Sequence, residues 1–299
     1  MAKSALLKSS IAKKYWMSLT GLFLCLFLVG HLLGNLQLIF SDALAFNLYA
    51  LFMTTNPAVK ILSYLTYISI LFHAFDGILL TIQNRKARPI GYVMNQPQKN
   101  TIWASRNMAV LGTIILVFIV THMVNFWAVM HFKEDMPLQT VTIKGATPQE
   151  EEQSLYITTA TGDARFLNTK RVDGKNLVKE GNKFYAMIPK KMPDMMNPTE
   201  TPEMQKVYFA EGYKDLHKIT VEFFKNPVNH MGLIATILYV LAMVALGFHL
   251  YHGFGSAFQS LGANNPKYNG FIRKFGYAFS IIVPAAFAII PLYLHFLYK

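Results

Sequence analysis

The chain has 299 residues, 53% of them hydrophobic, and a formal net charge of +12; its mean hydropathy is +0.30. A soluble globular chain of this length is rarely so apolar, and a single cysteine, Cys25, excludes an intrachain disulfide. The positive excess does not form a nucleic-acid-binding face, which would concentrate basic residues on one folded surface: 131–227 holds fourteen Lys/Arg and fourteen Asp/Glu, and the other fourteen basic residues sit in short segments between apolar runs, with only Asp42 and Asp76 as acids.

A bilayer core about 30 Å thick takes about 20 apolar helical residues. Residues 15–40 supply the first such span. The segment follows MAKSALLKSSIAKK, exceeds the apolar core of a signal peptide and lacks a small-residue cleavage site, so it reads as a retained helix. Residues 60–83 and 106–131 give the second and third spans. The segment 132–227 is then a polar, charge-balanced insertion. Within it, SLYITTA and KFYAMIPKKMP have the composition of short strands, and ETPEMQKVYFAEGYKDLHKITVEFFK is in part helical before Pro227. It shows no metal-ligand spacing, phosphate loop or nucleophile motif. Residues 228–258 and 272–297 give the fourth and fifth spans, the fourth stopped by Gly262 and the fifth interrupted by Pro284 and Pro291. The expected fold is an all-α membrane protein of five transmembrane helices, four of them in a bundle, with domains 1–131, 132–227 and 228–299.

Lys3, Lys8, Lys13 and Lys14 precede span one. Arg85, Lys86, Arg88, Lys99 and Arg106 lie between spans two and three, and Lys267, Arg273 and Lys274 between spans four and five. The loop between spans one and two carries only Asp42 and Lys60. Lys and Arg collect on the cytoplasmic side, so the N-terminus is expected inside, and the insertion and C-terminus outside.

Ionisable residues inside spans are costly and face the bundle interior. His31, His73, His122 and His249 place one histidine in each of the first four spans, and span four adds His252. At about 1.5 Å of rise per residue, His31 lies about 25 Å past Lys14 and His122 about 24 Å past Arg106. His73 lies about 18 Å before Arg85, and His249 about 20 Å before Gly262. His31 therefore pairs with His122 towards the outer side, and His73 with His249 nearer the cytoplasm, the two levels a few ångström apart. Facing histidines in a helical bundle hold metals or cofactors. Two such pairs fit two bis-histidine b-type haems. No CxxCH site is present, so the haems would be held non-covalently. Zinc fits less well, because neither level offers cysteine or carboxylate to complete four ligands. Gly21, Gly30, Gly34, Gly77, Gly112, Gly247, Gly253 and Gly255 lie around these histidines, consistent with a flat macrocycle and equally with close helix packing.

KKYWMSLTGLFLCLFLVGHLLGNLQ in span one and FHLYHGFGSAFQSLG in span four, with five spans and a histidine in each of the first four, resemble the di-haem cytochrome b subunit of succinate:quinone oxidoreductases (succinate dehydrogenase or fumarate reductase), and within it the b558-type single-chain membrane anchor. The resemblance covers the five spans, about two thirds of the chain, and leaves the insertion without a counterpart. The family's HxxxG pattern in span four selects His249, with Gly253 completing it, and makes His252 a propionate or quinone-side partner. The resemblance implies two haem b, one between His31 and His122 and one between His73 and His249. It implies a flavoprotein subunit with FAD and an iron–sulfur subunit with its clusters as partners, which carry the dicarboxylate chemistry of the tricarboxylic acid cycle. It implies electron transport to or from a membrane quinone, menaquinone being expected, in the bacterial cytoplasmic membrane.

Anionic haem propionates can pair with basic groups near span ends, here Lys13, Lys14, Arg106 or Arg273, with Arg106 first because it opens a ligand helix. Asp76, three residues after His73, can accept a hydrogen bond from a ligand or pair with an arginine. A quinone needs polar groups at its carbonyls and apolar walls. An outer site could use Asn35, Gln37, Asp42, Asn47 or His131, and an inner one Ser10, Trp16 or His252. Electrons crossing the membrane favour the outer. His217, His230 and His295 read as surface or interfacial residues. The competing readings are the cytochrome b subunit of another quinone-linked respiratory enzyme, and a transporter or non-redox scaffold. A transporter predicts internal repeats and broken helices, and no repeat is apparent.

Overall fold

The computed structural model describes residues 10–87, 89, 90, 96, 99, 101–144, 151–160, 165–190, 203–263 and 265–299; Lys3, Lys8, Arg88 and the side chain of Ser10 lie outside them. The chain is mostly helical, with five helices long and apolar enough to cross a membrane: Ile11–Phe40, Pro57–Lys86, Met108–Phe132, Val228–Ser260 and Pro266–Leu297. It forms two compact units, Met1–Phe40 with Met53–Val124 and Val221–Lys299, and Ser41–Phe52 with Asn125–Thr220.

In the first unit, α1 (Ser10–Phe40) is followed by α2 (Ala43–Thr55), which begins in the second unit, and α3 (Pro57–Lys86). The loop expected after span one is thus largely helix α2. Asn56 caps α3 by accepting hydrogen bonds from the Ala58 and Val59 amides, with Pro57 in the first turn. A single turn, α4 (Trp103–Arg106), ends at Asn107, whose φ of −107° breaks it from α5 (Met108–His122). Arg106 therefore closes this separate turn and does not open the ligand helix. A π-helical segment, Met123–Ala128, carries α5 into α6 (Val129–Phe132). After the insertion come α7 (Leu216–Lys225), α8 (Met231–Ser260) and α9 (Pro266–Leu292).

Gly262 ends α8 as expected from the sequence. Its φ is +80°, and the Gly262 and Ala263 amides donate to the Gln259 and Phe258 carbonyls, the two bonds of a glycine-terminated helix. Pro284 and Pro291 do not interrupt the last span: α9 runs through both. Each proline removes one amide donor from the ladder, and membrane helices tolerate the loss when neighbours pack closely. Here Gly247 brings α8 so near that a Cβ at that position would lie 3.1 Å from the Ser280 carbonyl oxygen.

Helix α1 packs on α3, α8 and α9, and α5 packs on α3 and α8. The four helices α1, α3, α5 and α8 thus form a ring in that order, with α1 opposite α5 and α3 opposite α8, and α9 lies outside against α8 and α1. The interior holds Ala242, Met243, Leu246 and Leu250 of α8 against Cys25, Leu28, Ile115 and Phe118. The outward faces are apolar, as at Leu26, Leu33, Phe72, Val117 and Leu241, and a lipid-facing helix must be.

In the second unit, β1 (Thr140–Ile143), β2 (Gln153–Ile157) and β3 (Phe166–Asn168) form one antiparallel sheet, and β4 (Leu177–Glu180), β5 (Lys183–Pro189) and β6 (Met204–Glu211) another. Gly181, at φ +60°, makes the tight β4–β5 turn. Phe184 is fully buried with Leu138 and Leu167 as the core. SLYITTA and KFYAMIPKKMP supply β2 and β5. The stretch before Pro227 is strand β6 first and helix α7 second. Asn47, 2% exposed, ties α2 into this unit: its amide group donates to Gln139 and to Asp215 Oδ1 and accepts from the His217 backbone N–H.

Candidate functional site

The ring geometry brings the histidines together across its diagonals. His31 on α1 faces His122 on α5, with ring centroids 5.9 Å apart and planes at 87°. His73 on α3 faces His249 on α8, with centroids 6.1 Å apart and planes at 67°. Two imidazoles bound to one ion through nitrogen bonds of about 2 Å put their ring centres about 6 Å apart. No group of three or more His, Cys, Asp or Glu side chains gathers among the described residues. Each pair brings together one imidazole from each of two opposite helices.

Neighbouring helices cradle the rings with glycine. A Cβ at Gly21 of α1 would lie 3.1 Å from Cε1 of His73, and one at Gly112 of α5 would lie 3.7 Å from Cε1 of His249. Methionine fills the reciprocal notches: a Cβ at Gly77 would meet Cε of Met17 at 3.9 Å, and one at Gly253 would meet Cε of Met108 at 3.8 Å. Phenylalanine stacks one turn before each histidine of the other pair, Phe27 on His31 at 5.2 Å and Phe118 on His122 at 5.6 Å.

These contacts expose a repeat that the sequence reading missed. MSLTGLFLCLFLVGH (17–31) and MAVLGTIILVFIVTH (108–122) both read Met, Gly four residues on, Phe ten on and His fourteen on. FHAFDG (72–77) and FHLYHG (248–253) align in the same way. The hairpin of α1 and α3 therefore recurs as the hairpin of α5 and α8, centred on the histidines. Helices α1 and α5 also measure the levels. His73 touches α1 at Gly21, ten residues before His31, which is about 15 Å of helix; Gly112 and His122 give the same spacing. The levels are thus farther apart than the few ångström expected, because the residues used as depth marks are not equivalent helix ends: α1 begins at Ser10, before Lys14, and Arg106 closes a separate turn before α5.

The ring nitrogens fit metal-binding imidazole. His73 Nδ1 lies 3.2 Å from the Met17 carbonyl oxygen and 3.3 Å from Thr20 Oγ1. A carbonyl only accepts, so this nitrogen carries the proton, and Nε2 keeps its lone pair, the arrangement found behind metal-bound histidines. His122 Nδ1 lies 3.4 Å from the Tyr239 hydroxyl. His31 lies 3.5 Å from the Asn35 amide nitrogen, which donates at 2.8 Å to the His31 carbonyl. His249 Nδ1 is the buried side-chain polar atom left without a hydrogen-bond partner among the described residues. Buried polar atoms are almost always satisfied, and His249 lacks the acceptor that His73 Nδ1 finds in the Met17 carbonyl.

The other predicted residues are dispersed. His252 is half-buried and 3.2 Å from Ser256 Oγ. Asp76 is buried on α3, three residues after His73. Arg106 is exposed and donates to the Thr101 carbonyl, and Lys14 is exposed on α1. Of the quinone candidates, Asn35 and Gln37 belong to the first unit and Asp42, Asn47 and His131 to the second. Asp42 caps α2 through Ala45 N–H. Asn47 has both sides of its amide engaged as described. His131 is exposed, stacks on Trp127 at 4.5 Å and has Nδ1 2.8 Å from the Trp127 carbonyl oxygen. His217 is not a surface residue: it is 5% exposed and packs on Phe46 at 6.0 Å. His230 is exposed, and His295 Nδ1 donates to the Phe224 carbonyl at 2.6 Å. Sequence reasoning missed Tyr239, Thr20, Met17 and Met108; the histidine repeat, once read, would have pointed to the two methionines. Comparison of the chain with family models, curated proteins and solved structures returns no match.

Proposed function

We propose that this chain is the di-haem cytochrome b membrane-anchor subunit of a succinate:quinone oxidoreductase, conducting electrons between an iron–sulfur partner and membrane quinone. The observation that carries the haem reading is the pair of diagonal histidine contacts, 5.9 and 6.1 Å between centroids, set about 15 Å apart along two helices. The succinate linkage rests on the resemblance of the first and fourth spans.

Haem held between two imidazoles supplies one-electron oxidation and reduction. The chain's residues do the rest. Met17 and Thr20 fix the His73 tautomer so that Nε2 points its lone pair inward. Phe27, Phe118 and Phe287 wall the His31–His122 level and exclude water, Phe287 lying 5.8 Å from His31. Gly21 and Gly112 leave room beside the rings of the other level. His252, Arg106, Lys14 and Asp76 are the candidates for the propionate ends and ligand surroundings. Asn35 and Gln37 are the membrane-unit candidates for a quinone carbonyl. Dicarboxylate chemistry belongs to the flavoprotein and iron–sulfur partners.

The test is a reduced-minus-oxidised spectrum with pyridine-haemochrome quantitation of the purified chain. About two b haems per chain are expected from the two pairs; a haem-free protein would falsify the reading. Succinate-dependent reduction of those haems in membranes separates this enzyme from another quinone-linked one.

A further inference from the structure

The two hairpins match at their histidines, so a difference at a ring nitrogen is informative. Position 239 of α8 corresponds in the repeat to position 63 of α3. The latter is serine, and its hydroxyl donates to the Val59 carbonyl of its own helix at 2.9 Å. Tyr239 instead reaches across to α5, placing its hydroxyl 3.4 Å from His122 Nδ1.

We propose that Tyr239 is a positioning residue for His122, setting the orientation and the basicity of this imidazole toward a bound haem iron. The inference deepens the di-haem reading and rests on it. The phenol is held from several sides. Its ring meets Phe118 edge-on at 4.9 Å and 83°, Phe224 at 5.1 Å and 89°, and Phe223 at 6.0 Å and 61°. Phe224 is buried, and its carbonyl is anchored by His295 Nδ1. The hydroxyl is therefore not free to swing away from His122.

An imidazole that binds iron through Nε2 carries its proton on Nδ1. The Nδ1–H donates to the phenol oxygen, which fixes the ring plane and raises the electron donation of the opposite nitrogen. Among the described residues His31 has no equivalent, since the repeat has serine at position 63 and the Asn35 group near the ring is an amide nitrogen, a donor that cannot accept an Nδ1 proton. One side of this level is thus tuned and the other is not. At 3.4 Å the Tyr239 contact is itself long, so a shifted potential and not loss of haem is the expected result of removing it.

The experiment is a redox titration of the full haem-loaded chain, read optically and by the low-spin ferric EPR signals, for wild type, Tyr239→Phe and Phe223→Leu. In Tyr239→Phe both haems are retained, one midpoint potential rises with a moved EPR signal, and the other stays in place. Phe223→Leu, which loosens the packing around the same ring without removing a hydroxyl, moves that potential less than Tyr239→Phe does. If Tyr239→Phe does not survive detergent, the same titration is read in intact membranes. Unchanged potentials in Tyr239→Phe, both haems moving together, or an equal shift in Phe223→Leu would make Tyr239 a packing residue and overturn the inference while leaving the di-haem reading standing. A haem-free wild type removes both and is a different observation.

Discussion

The hairpin of α1 and α3 and the hairpin of α5 and α8 are built to one plan and differ beside the rings. Both place methionine, glycine, phenylalanine and histidine at the same intervals on the first helix, and Phe-His with a glycine four residues later on the second. The shared residues put a glycine notch, a methionine plug and a phenylalanine ring beside the histidines of each hairpin. The differing residues are Thr20 against Leu111, Ser63 against Tyr239, and Asp76 against His252. Each of these changes what a ring or its neighbour can exchange hydrogen bonds or charge with. The plan accounts for two histidine pairs; the departures make their surroundings unequal.

The largest effect should come from breaking a pair outright. His249→Ala leaves His73 without its partner and should halve the haem content, with the His31–His122 level retained. His252→Ala, on the position that α3 fills with Asp76, should keep both haems. Pyridine-haemochrome quantitation of the two variants checks this. Loss of haem from His252→Ala and not from His249→Ala would reverse the assignment in span four.

A smaller effect separates the two glycine notches. An added methyl at Gly21 would sit 3.1 Å from His73, against 3.7 Å between Gly112 and His249. The first distance forces the ring or the helix to give way, at a cost of about 1–3 kcal/mol for overpacking; the second is ordinary contact. Gly21→Ala should therefore lower haem retention on heating, while Gly112→Ala should stay near wild type. Equal loss in both, followed by Soret absorbance during thermal unfolding, would show that the hairpins are packed alike despite these distances.

A histidine outside the repeat sharpens the contrast from the other side. His217 has no facing histidine. Burial holds its imidazole below the ordinary histidine range, against the opposing pull of Asp215 and Asp42. The unfolded chain then binds more protons than the folded one once pH falls below about 6.5. Its contribution to the second unit is present above that pH and is lost as pH falls through it towards the folded value. Proteolysis of this unit should accelerate between about pH 7 and pH 5, and His217→Gln should flatten that dependence. An unchanged pH profile in the variant would remove His217 as the cause.

Much of this was legible in the sequence, for stated physical reasons. Hydropathy marks the five long helices because lipid demands continuous apolar length, and a histidine stands out against such a background. Capping is also local, so Gly262 read correctly as a stop. The repeat stayed hidden because its fixed residues are diluted among interchangeable Leu, Ile and Val, which satisfy lipid in any order. Helix α2 was missed because an apolar 13-residue stretch between spans is too short to read as a crossing. The sheets of the second unit depend on pairings between distant segments, and His217 is buried by Phe46, 171 residues away in sequence. Tyr239 was invisible for the same reason: its meaning lies in which helix it faces.

The finest difference between the hairpins is one hydroxyl. His73 Nδ1 has two acceptors, the Met17 carbonyl and Thr20 Oγ1, and the Thr20 hydroxyl proton is directed to the Trp16 carbonyl at 2.8 Å, leaving its oxygen to accept. His249 Nδ1 has none among the described residues, and leucine stands at position 111 where the other hairpin has Thr20. A neutral hydrogen bond is worth about 0.5–1.5 kcal/mol net. Thr20→Val, which keeps the shape and leaves the Met17 carbonyl in place, should raise the potential of the His73–His249 haem slightly. Leu111→Thr supplies the missing acceptor and should lower the same potential. Opposite shifts in one titration would tie the inequality of the two imidazoles to this position, because a general loosening of the helices moves both variants in the same direction. Shifts of one sign would place the difference elsewhere on the hairpins.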